Sequence, residues 1–334
     1  FKQCNNTNSL LSTPADFVAY EQIRNVKMKK IYESVTEMVG NTPLLRLHRW
    51  EKKHLLKAQI LVKCEFYNPL FSVKDRAALK MIEKAEADGK VTKDTIFLEA
   101  TSGNTGIALA AMCAAKGYKL VITMPENMTK ERIMLMRYFG AEVILTPKED
   151  GMRGALAKAD MLKAKNPNVV MFEQFCNQAN TDAHRFGTSM EIMDATHGNV
   201  DVLVAAVGTS GTLTGTAATL KTNNPDLYVV AVEPKSSSVL SGGEPGIHRI
   251  PGIGAGFVPP LYERSLVDEV ADVADDEAWQ TAAEVAVTEG LPVGISGGAA
   301  IAAATRLAAR DEFIGKNIVV ILPDSINNYL SALV

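Results

Sequence analysis

The sequence predicts an α/β protein with open, mostly parallel, twisted sheets and flanking helices, and three observations support this. The chain of 334 residues is long enough for two domains. From about residue 60, short β-branched runs alternate with helical stretches, which is the pattern of βαβ units. The runs are apolar throughout, as in central parallel strands that are covered on both faces. Either one such sheet or two would fit this pattern.

Each element is predicted from its own stretch of sequence, in chain order. Continuous apolar runs predict strands at residues 60–64, 95–99, 119–124, 142–145, 169–172, 202–207, 228–232 and 318–322. Longer stretches between them predict helices at residues 75–87, 105–116, 130–139, 153–165, 212–222, 276–289 and 299–309. Ligands of such sheets bind at the carboxyl ends of the strands, where the following helices offer free N–H groups. The strand-to-helix turns are therefore the places to search for chemistry.

The composition narrows the function classes. Hydrophobic residues make up 47% and charged residues 22%, which is typical of a globular protein. The net charge is −3, and basic residues are mixed with acidic ones, so a nucleic-acid partner is not expected. The sequence contains no run of about 18 apolar residues, so no membrane span is predicted.

The cysteines and the N-terminus carry two further expectations. Cys4, Cys64, Cys113 and Cys176 are widely spaced and form no CxxC pair, which indicates a reducing compartment such as the cytoplasm. The histidines do not cluster, so no metal site is expected. Residues 1–27 are interpreted as an N-terminal extension, for which disorder is one reading and Met28 a sensible natural start.

The first segment with unusual chemistry is residues 72–76, SVKDR, which opens a predicted helix. Ser-x-x-Asp is the pattern of a capping box, with Ser72 at the N-cap and Asp75 at N3. Lys74 then lies in the first turn, where the helix dipole disfavours a cation by roughly 0.3–1 kcal/mol. It is either an exposed lysine or one needed for its amine, as a Schiff base or as a nucleophile with a lowered pKa.

The second segment is residues 101–106, TSGNTG, between a predicted strand and an Ala-rich helix. Its small hydroxyl residues and glycines can form a nest of N–H and O–H donors that suits a carboxylate. Asn104 adds both a donor and an acceptor. A plain strand-to-helix turn would also explain the glycines.

The third segment is residues 208–215, GTSGTLTG, again between a predicted strand and a helix. Backbone amides and hydroxyls at a helix N-terminus form a phosphate cradle. The segment lacks the Gly-Lys-Ser/Thr ending of a P-loop, and its glycine spacing does not fit the dinucleotide fingerprint. A ligand with a single phosphate is predicted, with a structural glycine turn as the alternative.

Together the segments supply a lysine amine, a carboxylate nest and a phosphate cradle. Pyridoxal 5′-phosphate needs a lysine for its aldehyde and a cradle for its phosphate, and its amino-acid substrate needs the nest. One cofactor therefore accounts for all three segments.

With these motifs the chain resembles the cysteine synthase (O-acetylserine sulfhydrylase) family of fold-type II pyridoxal-phosphate enzymes, which have the tryptophan synthase β-like fold. The resemblance runs from about residue 39 to residue 330. Its motifs are VGNTPL at 39–44, SVKDR at 72–76, EATSGNTG at 99–106, VLSGGEPGIHRIPGIGAGFVP at 239–259, GISGGAA at 294–300 and ILPDS at 321–325.

The resemblance implies a role for each matching residue. Lys74 would bond the cofactor aldehyde and move protons at Cα, Asn104 would bind the ring hydroxyl, and Ser296 would face the pyridine nitrogen. The residues implied for the substrate carboxylate are Thr101, Ser102, Gly103, Thr105 and Gln174. Those implied for the cofactor phosphate are Gly208, Thr209, Ser210, Gly211 and Thr212.

The resemblance also implies an activity and an organisation. O-acetyl-L-serine would lose acetate to give an aminoacrylate, and sulfide would add to it to form L-cysteine. A serine beside the pyridine nitrogen makes the ring a weaker electron sink, which favours loss of the β-substituent over transamination. Residues 79–177 would form a smaller mobile domain, and residues 28–78 with 178–334 a larger domain carrying the cradle. A homodimer and a serine acetyltransferase partner are further implications.

Other activities stay open within this fold. The donor could be L-serine or L-cysteine and the acceptor homocysteine, water or another thiol, as in a cystathionine β-synthase-like or sulfide-releasing enzyme. Fold-type II dehydratases and threonine synthases share fewer of the motifs. A non-catalytic binding protein is the alternative from another class, and Lys74 argues against it, because a binder needs no Schiff-base amine.

Three departures from the family pattern bear on the substrate. Leu70 and Phe71 stand where the family commonly has two glycines, and this is expected to alter the backbone or narrow the pocket. Ser210 replaces a usual glycine in the cradle. Residues 323–329, PDSINNY, look more like cystathionine β-synthases, whereas GIGAGF points to cysteine synthases.

Overall fold

The computed structural model of the protein describes residues 31–332. The predicted N-terminal extension, Met28 and Cys4 lie outside these residues. Of the remaining cysteines, Cys64 and Cys113 are buried and Cys176 is exposed, and all three are free thiols. Among residues 31–332 no helix is both long and apolar enough to cross a membrane.

Two open sheets form the framework, which confirms the predicted fold class. The larger has six strands in the order β1-β2-β10-β7-β8-β9 and is parallel except for the antiparallel β1-β2 pair. The smaller has four parallel strands in the order β5-β4-β3-β6. The strands are β1 Leu44–Arg46, β2 Gln59–Cys64, β3 Ile96–Ala100, β4 Lys119–Pro125, β5 Glu142–Thr146, β6 Val169–Met171, β7 Val202–Ala206, β8 Tyr228–Pro234, β9 Glu269–Val273 and β10 Asn317–Leu322.

The eight strands predicted from apolar runs are all present, whereas β1 and β9 were missed. Both lie at the edges of the larger sheet. β1 has only three residues, and β9 carries acidic residues and is mostly half-exposed. An edge strand need not be apolar on both faces, so it leaves no continuous apolar run in the sequence.

The helices are α1 His48–Lys53, α2 Lys74–Ala87, α3 Asn104–Lys116, α4 Lys130–Tyr138, α5 Gly151–Lys165, α6 Gln178–Ala183, α7 Ser189–Thr196, α8 Gly211–Asn223, α9 Asp275–Glu289 and α10 Ile295–Ala308. A π-helical turn, His184–Thr188, joins α6 to α7. The seven predicted helices are confirmed, and the three that were missed (α1, α6 and α7) have eight residues or fewer. Helix α10 begins four residues before its predicted start, and Gly298 in its first turn packs against α9. A Cβ on Gly298 would lie 2.3 Å from the carbonyl oxygen of Ala278.

Both sheets are buried on both faces, as the apolar runs predicted. In β10, Val320 packs towards α9 and α10, whereas its neighbour Val319 packs towards α7 and α8. In β3, Phe97 joins the core with α2 and α3, whereas Leu98 joins the core with α5. Adjacent residues of a strand point to opposite faces, so each sheet contributes to two cores.

A buried ion cluster links α2 to the larger sheet and to α7. The Arg76 guanidinium donates to both carboxylate oxygens of Glu65, at 2.6 and 3.0 Å, and to both of Glu191, at 2.7 and 2.7 Å. The Lys63 amine donates to Glu191 at 2.6 Å. Burial acts to raise the pKa of Glu191, but Arg76 and Lys63 outweigh it and keep this pKa at about 2. Glu191 is therefore ionised at neutral pH.

Replacing Arg76 by Ala is expected to lower the free energy of unfolding by about 3–5 kcal/mol, because Glu65 would stay buried without its cation. Urea denaturation followed by circular dichroism measures this change. Lys80→Ala is the matched control on the same helix: it breaks an exposed pair with Glu83 and should cost less than about 1 kcal/mol. Equal effects of the two substitutions would show that the buried cluster stabilises the fold no more than an exposed ion pair does.

Candidate active site

The three segments singled out in the sequence meet along one cleft, which has a volume of about 780 Å³. It is lined by Lys74, by the nest residues Thr101, Ser102, Gly103, Asn104 and Thr105, by Gln174, and by Gly208 and Thr209. Its inner end is a chamber lined by Lys74, by Gly208, Thr209, Ser210 and Thr212 of the cradle, and by Ser296. Gly211, the remaining cradle residue, is the first residue of α8 and does not line the chamber. A pocket of this size accommodates a cofactor with its substrate.

Lys74 is the first residue of α2 and faces the chamber. Burial lowers the pKa of its amine, and the neighbouring carboxylate of Asp324 acts in the opposite direction. A lysine with a lowered pKa is neutral for a larger fraction of the time, and only the neutral amine is nucleophilic. The alternative of a lysine that merely extends into water does not fit this position.

The capping box predicted for α2 is wrong. The helix begins at Lys74, and the Asp75 carboxylate turns back to accept the N–H of Leu70 at 2.6 Å. Ser72 accepts the N–H of Lys74 at 3.2 Å, and its backbone pairs with Asp324 instead of starting the helix. A tertiary strand-like pairing thus replaces the local cap.

The carboxylate nest lies at the N-terminus of α3, directly after β3. The first N–H groups of a helix have no partner within it, so they can receive an anion. Thr105 donates its hydroxyl proton to the side-chain oxygen of Gln174 at 2.8 Å, which brings together two residues predicted for one ligand. Gly106 allows close packing here, since a Cβ would lie 2.6 Å from the side chain of Met136.

The phosphate cradle lies between β7 and α8, and its glycines leave no room for side chains. A Cβ on Gly208 would lie 2.3 Å from the carbonyl oxygen of Gly252, and one on Gly211 would lie 2.3 Å from the side-chain oxygen of Asn180. Ser210 has a φ of 69°, the left-handed conformation for which glycine is the usual residue. Gly208, Thr209, Ser210 and Thr212 line the chamber, so the predicted phosphate cradle faces it.

Two buried side chains that the sequence reasoning missed support the cradle from behind. The Asn180 amide donates to the Thr209 hydroxyl at 2.9 Å, and a ring nitrogen of His184 lies 3.2 Å from the Thr212 hydroxyl. Burial, together with the charges of Arg76 and Lys74, lowers the pKa of His184 well below its ordinary value. His184 is thus a neutral hydrogen-bonding partner of the cradle.

Ser296 is the second residue of α10 and lines the same chamber as Lys74. Among the described residues that line this chamber there is no carboxylate. A pyridine nitrogen in the chamber would therefore meet a neutral hydroxyl, in line with the role predicted for Ser296. Among residues 31–332 there is also no group of three or more His, Cys, Asp or Glu side chains that could bind a metal ion.

Asn104 is engaged by residues that were not predicted for the site. Its amide nitrogen donates to Asp324 at 2.7 Å, and its side-chain oxygen accepts from Asn328 at 3.3 Å. Tyr329 also donates to Asp324. Arg132 lies 5.5 Å from the centre of the Tyr329 ring, and both line the cleft. Asp324, Asn328 and Tyr329 lie in the C-terminal motif singled out in the sequence, whereas no motif pointed to Arg132.

The expectation that Leu70 and Phe71 narrow the pocket is wrong. Neither residue lines the cleft or the chamber. Leu70 packs against the core of the smaller sheet, and the Phe71 side chain is 60% exposed. Phe71 has a φ of 63°, which explains why glycine suits this position.

Comparisons with known proteins agree with this geometry. Residues 35–324 match the family model described as pyridoxal-phosphate dependent enzyme. The chain is 44% identical over 304 residues to a cysteine synthase of Staphylococcus aureus, covering 91% of this chain and 97% of that one.

Solved structures give the same result. A cysteine synthase from Entamoeba histolytica has a TM-score of 0.89 at 42% identity, with 91% of this chain and 90% of that chain covered. A hydrogen sulfide-producing enzyme from Fusobacterium nucleatum has a TM-score of 0.86 at 42% identity, with 90% and 99% covered. The chamber brings together Lys74, four residues of the predicted cradle and the Ser296 hydroxyl, which fit pyridoxal phosphate. The chain belongs to the pyridoxal-phosphate dependent enzyme family.

Proposed function

We propose that the protein is a cysteine synthase, which converts O-acetyl-L-serine and sulfide to L-cysteine and acetate. The observation that carries this proposal is the meeting of Lys74, the nest and the cradle in one cleft. Identity of 44% to cysteine synthases over 304 residues supports it.

Pyridoxal phosphate, when bound, supplies an aldehyde for amines and a ring that accepts electrons from Cα. The residues of the chain do the remaining work. The amides and hydroxyls of residues 208–212 would hold the phosphate, and the neutral hydroxyl of Ser296 would lie near the ring nitrogen. The nest and Gln174 hold the substrate carboxylate and so orient Cα towards Lys74. The Lys74 amine takes the proton from Cα and later returns it.

Water must be excluded while the β-substituent is replaced. The nest belongs to residues 79–177, whereas Lys74 and the cradle belong to residues 28–78 and 178–334. Binding of a carboxylate to the nest would draw the smaller domain towards the larger one and close the cleft. A homodimer and binding of a serine acetyltransferase are further parts of the proposal that family resemblance supports. A cytoplasmic location is a further part that the widely spaced cysteines support.

Release of sulfide from L-cysteine is the second candidate activity. The specific observation in its favour is the similarity to the hydrogen sulfide-producing enzyme of Fusobacterium nucleatum at 42% identity. The same residues would serve both reactions, because each removes the Cα proton and expels a group from Cβ. The donor that the cleft accepts distinguishes them.

One prediction of the proposed function concerns the donor and Lys74. The visible absorption of the bound cofactor should shift when O-acetyl-L-serine is added and return when sulfide follows. Lys74→Ala should abolish this response and lower the rate of cysteine formation by at least about 10³-fold, because both the nucleophile and the base are lost. Lys74→Arg keeps the charge but not the nucleophilic amine, and it should be equally inactive.

The other outcomes each have a definite meaning. A cofactor band that responds to L-cysteine or L-serine but not to O-acetyl-L-serine would replace the proposed donor. Failure to bind added pyridoxal phosphate at all would contradict the cofactor assignment.

Another prediction concerns Phe71, whose ring lies outside the cleft and whose backbone is left-handed. Phe71→Gly should raise the free energy of unfolding by about 1 kcal/mol by relieving this conformation. The Michaelis constant for O-acetyl-L-serine should stay within about twofold, since the ring lines no part of the cleft. Phe71→Ala removes the ring but keeps the strain, so it should give no gain in urea denaturation. A large change in the Michaelis constant would show that Phe71 shapes the substrate site after all.

A further inference from the structure

Asp324 lies where three segments of the cleft come together. Its backbone pairs with Ser72, and the carbonyl of the preceding Pro323 accepts the N–H of Val73 at 2.8 Å. On its other side, the carbonyl of Asp324 accepts the N–H of Gly294 at 3.0 Å. The segment before Lys74 and the segment before Ser296 are therefore both attached to the end of β10.

The carboxylate of Asp324 is buried and held in one orientation. The residue is 2% exposed, and Oδ2 accepts hydrogen bonds from Asn104, at 2.7 Å, and from the Tyr329 hydroxyl. Oδ1 has no hydrogen-bond partner among the described residues and lies against Gly294, where a Cβ would be only 2.0 Å from it. The absence of a side chain at Gly294 is what makes room for this oxygen.

Both hydrogen-bond donors to this carboxylate are neutral. Burial raises the pKa of Asp324, and its two hydrogen bonds and the charges of Lys74 and Arg132 offset this only in part, so a buried carboxylate is costly at this position. The acid therefore needs an explanation other than stability. Its hydrogen bond with Asn104 supplies such an explanation, because Asn104 is one of the nest residues that line the cleft.

Asp324 determines which way the Asn104 amide faces. An amide nitrogen carries two hydrogens, and one of them is used by Asp324. The side-chain oxygen of Asn104 accepts from Asn328 at 3.3 Å, so the two ends of the amide have distinct partners. A flipped amide would place its oxygen against the carboxylate, which is repulsive. The amide also interacts with the Tyr329 hydroxyl, so a ligand oxygen that accepts the second N–H would compete with that hydroxyl.

We propose that Asp324 is a positioning residue for the cofactor: its carboxylate orients the Asn104 amide so that the second N–H donates to the ring oxygen of pyridoxal phosphate. The inference rests on the cofactor and on the role of Asn104, not on the identity of the donor or the acceptor. Towards the cofactor ring Asp324 acts through Asn104, and separately its charge opposes the fall in the pKa of Lys74.

A double-mutant cycle tests this coupling. The dissociation constant of pyridoxal phosphate is measured by titrating cofactor-free protein and following absorption and fluorescence. Asp324→Ala and Asn104→Ala should each weaken binding about tenfold, as expected for loss of a hydrogen bond to a polar ligand group. The double variant should be no weaker than Asn104→Ala alone. The two single variants should also shift the visible band of the cofactor in the same direction.

Three further variants sharpen the test. Asp324→Asn keeps an oxygen that can accept from Asn104 and should restore most of the affinity. Asn327→Ala removes an exposed side chain from the same segment and should leave the affinity unchanged. Tyr329→Phe, a milder change should Asp324→Ala fail to fold, removes one of the two donors to the carboxylate. It should weaken binding about threefold only where Asn104 is intact.

The inference is overturned if Asp324→Ala weakens cofactor binding equally with and without Asn104→Ala, or does not weaken it at all. The titration requires no turnover, so its result does not depend on the proposed reaction. Turnover of O-acetyl-L-serine by the unsubstituted protein is measured separately, so failure of the proposed function would be recognised as such.

Discussion

The buried contact of Arg76 with Glu65 and Glu191 is the interaction on which the catalytic geometry depends. Arg76 lies two residues after Lys74 on α2, Glu65 directly follows β2, and Glu191 belongs to α7. Four charge-assisted hydrogen bonds with fork-like geometry fix the rotation of α2 about its axis. Since Lys74 is the first residue of this helix, fixing the helix fixes the amine.

The remaining site segments share one topological origin. The nest follows β3, the cradle follows β7 and Asp324 follows β10, so each lies at the carboxyl end of a parallel strand. Helix N-termini at two of these ends supply unpaired amides for anions. The two predicted anion sites therefore consist largely of backbone, and the glycines are required where a side chain would fill the cradle.

The cleft combines charged and neutral groups in different places. The lysine amine lies in a chamber without a lining carboxylate among the described residues, and Ser296 is the neutral group there. Asp324 lies outside the chamber lining but close enough to oppose the fall in the pKa of Lys74. His184, kept neutral behind the cradle, adds a hydrogen bond near the phosphate site without adding charge.

The sequence by itself determined the elements whose pattern is local. Continuous apolar runs revealed every strand except β1 and β9, because six of those eight strands are central in their sheets and largely buried. The glycine-rich turns revealed the nest and the cradle because close packing of the backbone there leaves no room for side chains. The tertiary structure alone decided the start of α2, where pairing of Ser72 with Asp324 replaced a local cap. It also decided that Phe71 points away from the cleft and that Asp324, Tyr329 and His184 support the site. Those features arise from contacts between residues far apart in the chain, such as Asn104 and Asp324, and no periodicity or motif in a single sequence encodes such contacts.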